Sequence, residues 1–145
     1  MRISIEKINK ELGEEILIRC HEVDDEIHEI VNKLKTEDHI ALGYQYDKVH
    51  RIKLSDIYYF EAVDGKVFLY CKDNVFEVKQ KLYELEELYK NKNCFRASKS
   101  TILNIAKISS IFPSISGRYE AVLDNGERAV VSRQYVPVLK NMLGL

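Results

Sequence analysis

From Ile40 onward the chain is a succession of short apolar runs: IALGYQY, VHRIKL, IYYFEAV, KVFLYCK, VFEV, TILNI, ISSIFP, RYEAVL and ERAVVS. They are rich in β-branched and aromatic residues, which suit a pleated, half-buried surface. Asp64-Gly65 and Asn125-Gly126 each sit between two apolar runs and fit two-residue hairpin loops, with Ser116-Gly117 a weaker third signal. The pattern therefore predicts a mainly β fold. One amphipathic helix interrupts it near Gln80 to Lys90, with Leu82, Leu85, Leu88 and Tyr89 facing inward. A last helix must begin near Tyr135 or Val136, because Pro137 is tolerated only in a first helical turn. Arg133 is then left in the strand-to-helix connection, where it can project.

Residues 1–45 read differently, as strand, strand, helix. ISIEKI and EEILIRCH are apolar or alternating, with a break at Gly13, and suggest a hairpin-like pair. Asp24, Asp25 and Glu26 open a helix whose Ile27, Ile30, Val31 and Leu34 share one face. Charge changes sign along the chain. Residues 1–45 hold 6 Lys and Arg against 11 Asp and Glu, whereas residues 46–145 hold 16 against 12. We therefore expect an N-terminal α/β segment over 1–45, with a regulatory or dimerisation role, and a β-rich domain over 46–145 where an anionic partner would sit.

Several chemistries find little purchase. There is no glycine-rich phosphate loop, no GxSxG and no HExxH, so no catalytic residue is expected. His21, His28, His39 and His50 share no helical face, and neither a metal site nor a cofactor is expected. Cys20, Cys71 and Cys94 are odd in number and lack CxxC spacing, which fits free thiols in a reducing compartment. No apolar run approaches a membrane span, and the first residues lack the apolar core of a signal peptide, so a cytoplasmic location is expected. Tyr58, Phe60, Phe68 and Tyr70 alternate as core residues do, which makes stacking on single-stranded nucleic acid the lesser reading. A tandem helix-turn-helix is disfavoured, since each predicted helix is flanked by strands or by the chain end.

The stretch FRASKSTILN, residues 95–104, carries the chemistry. Arg96, Ser98, Lys99, Ser100 and Thr101 gather cations and hydroxyls immediately before an apolar strand. Lysine and arginine neutralise phosphate while hydroxyls fix register, although a polar loop leading into a buried strand has the same composition.

IYYFEAVDGKVFLY (57–70), LYELEEL (82–88), FRASKSTILNIAKISSI (95–111) and LDNGERAVVSRQYV (123–136) together resemble the LytTR family of bacterial DNA-binding domains, over roughly residues 48–145. The resemblance implies an elongated antiparallel fold of about ten strands with short helices, whose loops enter successive major grooves of duplex DNA. It places DNA contacts at Lys66 after the Asp64-Gly65 turn, at Ser98, Lys99 and Ser100, and at Arg133 with its neighbour Gln134. Arg96 and Arg118 follow as phosphate contacts or surface ion pairs, while Asn104 is expected to satisfy backbone groups.

Ser98 stands where many members carry histidine, so a histidine contact is not expected. Forty-five residues are too few for a phosphoacceptor receiver domain, which points to the stand-alone members. The implied partners are double-stranded DNA with repeated half-sites, bound by a homodimer, and by family analogy a small membrane protein. No small-molecule substrate is implied. The competing reading is a β-rich protein-interaction or small-ligand module that does not bind DNA.

Overall fold

A computed structural model describes residues 1–35 and 39–145 of the chain. It divides into two compact units, 1–37 and 38–145. Residues 36–38, which the expected segment 1–45 includes, lie outside the described residues.

In the first unit, helix α1 spans Asp25–Lys35. Asp24 caps it, its Oδ1 accepting from the Ile27 amide at 3.0 Å, as an N-cap aspartate does. The hairpin expected from ISIEKI and EEILIRCH is absent: residues 1–23 contain only a turn near residues 10–12 and no strand. That turn is closed by Leu12 N donating to Asn9 O, and a hairpin continuing from it would set Glu6 against Glu15 and Arg2 against Arg19. Like charges directly opposite one another destabilise a strand pair.

The second unit holds ten strands in two antiparallel sheets. β1 (Ile40–Gln45), β2 (Lys48–Lys53), β3 (Tyr59–Val63), β4 (Lys66–Tyr70), β5 (Val75–Val78), β6 (Cys94–Arg96) and β7 (Thr101–Asn104) form a seven-stranded sheet in the order β2-β1-β5-β4-β3-β7-β6. β8 (Ile108–Pro113), β9 (Tyr119–Leu123) and β10 (Arg128–Val131) form a second sheet with β9 in the middle. Strand β1, expected among the strands from Ile40 onward, falls inside the bounds 1–45 given to the N-terminal segment. It instead pairs with β2 and β5, so the sheet begins at Ile40. The two-residue turn between β1 and β2 is Tyr46-Asp47, both at positive φ, a hairpin without the glycine that normally signals one.

Helix α2 (Leu82–Tyr89) buries Leu82, Leu85 and Tyr89 beside Phe60, Leu69 and Ile102 in one core. Leu88, expected to face inward, is exposed, because Leu82, Leu85 and Tyr89 already fill the narrow buried stripe of an eight-residue helix. Helix α3 (Val136–Met142) starts with Pro137 in its first turn, as expected. Its Val136 and Leu139 join Ala121, Leu123 and Val131 of the small sheet, and Tyr58, Phe95 and Leu103, in a second core.

Successive side chains of a strand point to opposite faces. Cys94 and Ile102 therefore enter the first core while their neighbours Phe95 and Leu103 enter the second. β6 and β7 are covered on both sides. At the end of β7, buried Asn104 donates to Leu54 O (3.3 Å) and Ile57 O (2.8 Å) and accepts from Ala106 N (3.1 Å). The asparagine is thus spent on backbone groups, as its position in the sequence suggested.

Candidate nucleic-acid interface

Four connections come together at one rim of the second unit. The first is the β3–β4 turn, where Asp64 (φ 51) and Gly65 (φ 80) both take the left-handed conformation that a tight hairpin of this hand requires. It delivers Lys66, exposed, as the first residue of β4 opposite Val63.

The second is the loop 97–100 between β6 and β7. Ala97 is buried at its root and donates to Thr101 O at 2.9 Å. Ser98 folds over the loop, its Oγ accepting from Ser100 N at 3.3 Å. Arg96 grips the loop from below, with Nε donating to Ser98 O (2.8 Å) and Nη2 to Lys99 O (2.9 Å), while Nη1 reaches Glu86 Oε2 of α2 at 3.2 Å. The planar guanidinium fork suits such a clamp in a way a lysine would not. Lys99 is left at the tip, exposed, beside exposed Ser100 and half-buried Ser98.

Third comes the segment after β10, where Tyr135 N donates to Ser132 O at 2.8 Å and closes a single tight turn, Arg133–Tyr135. Arg133 and Gln134 are both exposed on it. The fourth is the β8–β9 connection, with Ser116 and Gly117 at positive φ and Arg118 exposed behind them.

Three contacts hold these connections side by side. Ala62 N of β3 donates to Ser100 O at 2.8 Å, and Ser132 N donates to Ala97 O at 2.8 Å. The Arg133 side chain lies on Gly117, so closely that a methyl group there would sit 2.8 Å from its Cδ. The connections that carry Lys66, Lys99, Arg118 and Arg133 are thus neighbours, here called the ridge, and among the described residues none of the four has an ion-pair partner. Unpaired, exposed cations on connected loops are suited to phosphate and to base edges. Arg96 is different: its donors are taken up by the loop and by Glu86, so it shapes the ridge.

Behind the ridge is a cleft of about 230 Å³, lined by Tyr59, Glu61, Ser98, Thr101, Arg128 and Ser132 among others. The Tyr59 hydroxyl donates to Glu127 at 3.0 Å and its ring stacks on Tyr70. Burial first, then that carboxylate, push the Tyr59 phenol well above its ordinary value. Burial also raises Tyr70, with the nearby charge of Glu61 adding to it. Both phenols therefore stay neutral.

Three contributors gave no sign in the sequence. Glu86 lies ten residues before the arginine it holds, Ser132 acts through its backbone, and Gly117 serves as the bed for a distant side chain. Ser116-Gly117 was visible as a turn, but not as a seat for Arg133. Among the described residues no cluster of His, Cys, Asp and Glu could hold a metal ion, and no helix is long and apolar enough to cross a membrane.

Comparison with known proteins agrees with this architecture. The chain matches, over 138 residues at 28% identity, an uncharacterized HTH-type transcriptional regulator from Staphylococcus aureus strain MSSA476, covering 94% of this chain and 93% of that protein. A similarly described regulator from S. aureus strain bovine RF122 / ET3-1 is 27% identical over 130 residues, 88% of each. Among solved structures, one described as the LytTr DNA-binding domain of a methyl-accepting/DNA response regulator from Bacillus cereus superposes with a TM-score of 0.69 at 26% identity, covering 76% of this chain and 100% of that one. Despite the helix-turn-helix label of the relatives, α2 here is flanked by β5 and β6 and has no second helix beside it in sequence. The sequence pattern of the LytTr DNA-binding domain spans residues 47–144, and the chain belongs to that family.

Proposed function

We propose that this protein regulates transcription by gripping specific duplex DNA with the ridge of Lys66, Lys99, Arg118 and Arg133. The observation that carries this is the alignment of four exposed, unpaired cations on connections tied to one another, in a domain of a DNA-binding family. The relatives described as transcriptional regulators, matched over most of their length, supply the regulatory half of the reading.

Roles divide by chemistry. Arg133 offers a planar fork that can bond guanine O6 and N7 together, with Gln134 beside it suited to adenine. Lys99, Ser98 and Ser100 form a cation between two hydroxyls, a combination that favours phosphate. Lys66 and Arg118 extend the backbone contacts along the duplex on either side. Arg96 positions the loop. Two copies sit on repeated half-sites, since one small module makes few base contacts and a second bound copy adds effective concentration. The protein acts in the cytoplasm without a small-molecule substrate or cofactor. A small membrane protein as its regulator is carried over from the family resemblance alone.

A mobility shift with the DNA upstream of the protein's own gene, at two salt concentrations, tests the reading. Arg133→Ala should cost about 1–3 kcal/mol on the cognate duplex and relax preference at one base pair. Lys99→Ala should weaken cognate and scrambled duplexes alike and flatten the salt slope by about one unit. Binding indifferent to salt would reject the phosphate-gripping ridge and favour the ligand or interaction module. Footprints showing one isolated site at full affinity would reject the paired half-sites.

A further inference from the structure

The stretch Glu15-Ile16-Leu17-Ile18-Arg19 is apolar at its centre, acidic at one end and basic at the other. In the single chain Ile16 and Leu17 are 72% and 68% exposed, and among the described residues no backbone group of residues 13–23 joins a backbone–backbone hydrogen bond. Its own neighbour does not pair with it: residues 1–23 hold no strand, and a hairpin continuing from the turn at Asn9–Leu12 would bring Glu6 to Glu15 and Arg2 to Arg19, although it would also bring Lys7 to Glu14. Read antiparallel against itself, however, the stretch is complementary. With Leu17 opposite Leu17, Ile16 faces Ile18, and Glu15 faces Arg19 at both ends.

We propose that residues 15–19 are a self-association strand, pairing antiparallel with the same stretch of a second copy about a two-fold axis through Leu17. The surface is isologous, so the Ile16–Ile18 and Glu15–Arg19 pairs each occur twice and Leu17 meets itself once on the axis. Main-chain hydrogen bonds and the Ile16, Leu17 and Ile18 side chains supply the attraction, as in strand addition to an open edge. The charges fix direction and register, because a slip of one residue moves Glu15 off Arg19. The second copy also brings each end the opposite charge that the chain's own hairpin would deny it. This association is independent of the DNA reading. It gives a dimer held by residues 15–19 even where no DNA is present.

The test uses the full chain without DNA, followed by sedimentation. The wild type should form a concentration-dependent dimer. Glu15→Arg alone or Arg19→Glu alone sets like charges together at both ends and should weaken the dimer by at least about tenfold. The double variant Glu15→Arg with Arg19→Glu restores opposite charges and should restore the dimer. Leu17→Cys in a Cys20→Ser background should cross-link under mild oxidation, since residue 17 meets itself on the axis. A wild type that stays monomeric, a dimer indifferent to the single reversals, or a double variant no better than the singles would overturn the proposal. The same variants keep their affinity for a duplex carrying one half-site if the two activities are separate, so failure here leaves the DNA reading standing.

Discussion

Ile102-Leu103 of β7 and Ile16-Leu17 of the N-terminal unit are the same dipeptide in different places. In β7 both residues are 0% exposed, one in each core, whereas the N-terminal pair is more than two-thirds exposed. Apolar content and β-propensity are equal, so neither decides burial. Neighbours decide it. β7 lies between β3 and β6 in register, with Ile102 opposite Phe60 and Leu103 opposite Phe95. The N-terminal stretch has no strand beside it among the described residues. Propensity is a property of fit to a surface, and the surface must be supplied.

That contrast can be broken by truncation. Leu103→Ala removes a fully buried side chain and should cost about 2–5 kcal/mol, read from the urea midpoint. Leu17→Ala, measured at dilution, should stay within about 0.5 kcal/mol of the parent. Comparable losses at the two sites would mean that residues 1–23 are packed in the monomer. A smaller effect is expected at the polar end of the same strand. Asn104→Ala leaves the Leu54 and Ile57 carbonyls and the Ala106 amide without their buried partner, at a cost of about 1–3 kcal/mol by the same measurement.

Gly117→Ala should disturb the ridge more than the fold. The added methyl would press on Arg133 and sit at a φ of 76° that side chains avoid. Cognate affinity should fall by less than for Arg133→Ala, with the salt slope unchanged; a changed slope would show that the substitution had reached a phosphate contact.

The thiols give the mildest comparison. Burial pushes the Cys94 thiol up to about 12, and Cys71 is raised by burial too, whereas Cys20 is exposed. Alkylation near neutral pH should label Cys20 first and Cys94 only on unfolding. Folding favours the protonated Cys94, so its contribution is intact below the ordinary thiol value of 9.0 and disappears as pH rises towards about 12. A urea midpoint that rose across this alkaline range would contradict that sign.

Much of the β-rich part was legible because its signals are local. Asp64-Gly65 announced a tight turn, Pro137 fixed the start of α3, and alternating Tyr58, Phe60, Phe68 and Tyr70 marked strands. Asn125-Gly126 marked a turn but not its length: Gly126 N bonds Leu123 O and Leu123 N bonds Glu127 O, making a three-residue loop in which Asn125 also accepts from Glu127 N. The turn Tyr46-Asp47 was missed because no glycine marks it, although Asp47 is of a type that tolerates positive φ. At the ridge, Lys99 and Arg133 stood out by residue type and emerge exposed. The role of Arg96 depends on a carbonyl geometry and on Glu86, which no spacing reveals. Of the expected N-terminal hairpin only a turn near residues 10–12 forms, where the sequence pattern pointed to a break at Gly13.

The double cover on β6 and β7 bears on how such a domain can change over time. The loop 97–100 is rooted between Phe95 and Leu103 on one side and Cys94 and Ile102 on the other. Substitution at the roots strikes one core or the other, whereas Lys66, Lys99 and Arg133 are exposed and belong to neither. If these side chains read DNA as proposed, target preference is free to drift among descendants of this chain while the scaffold stays fixed, and a library confined to them should sample new operators with few losses to misfolding.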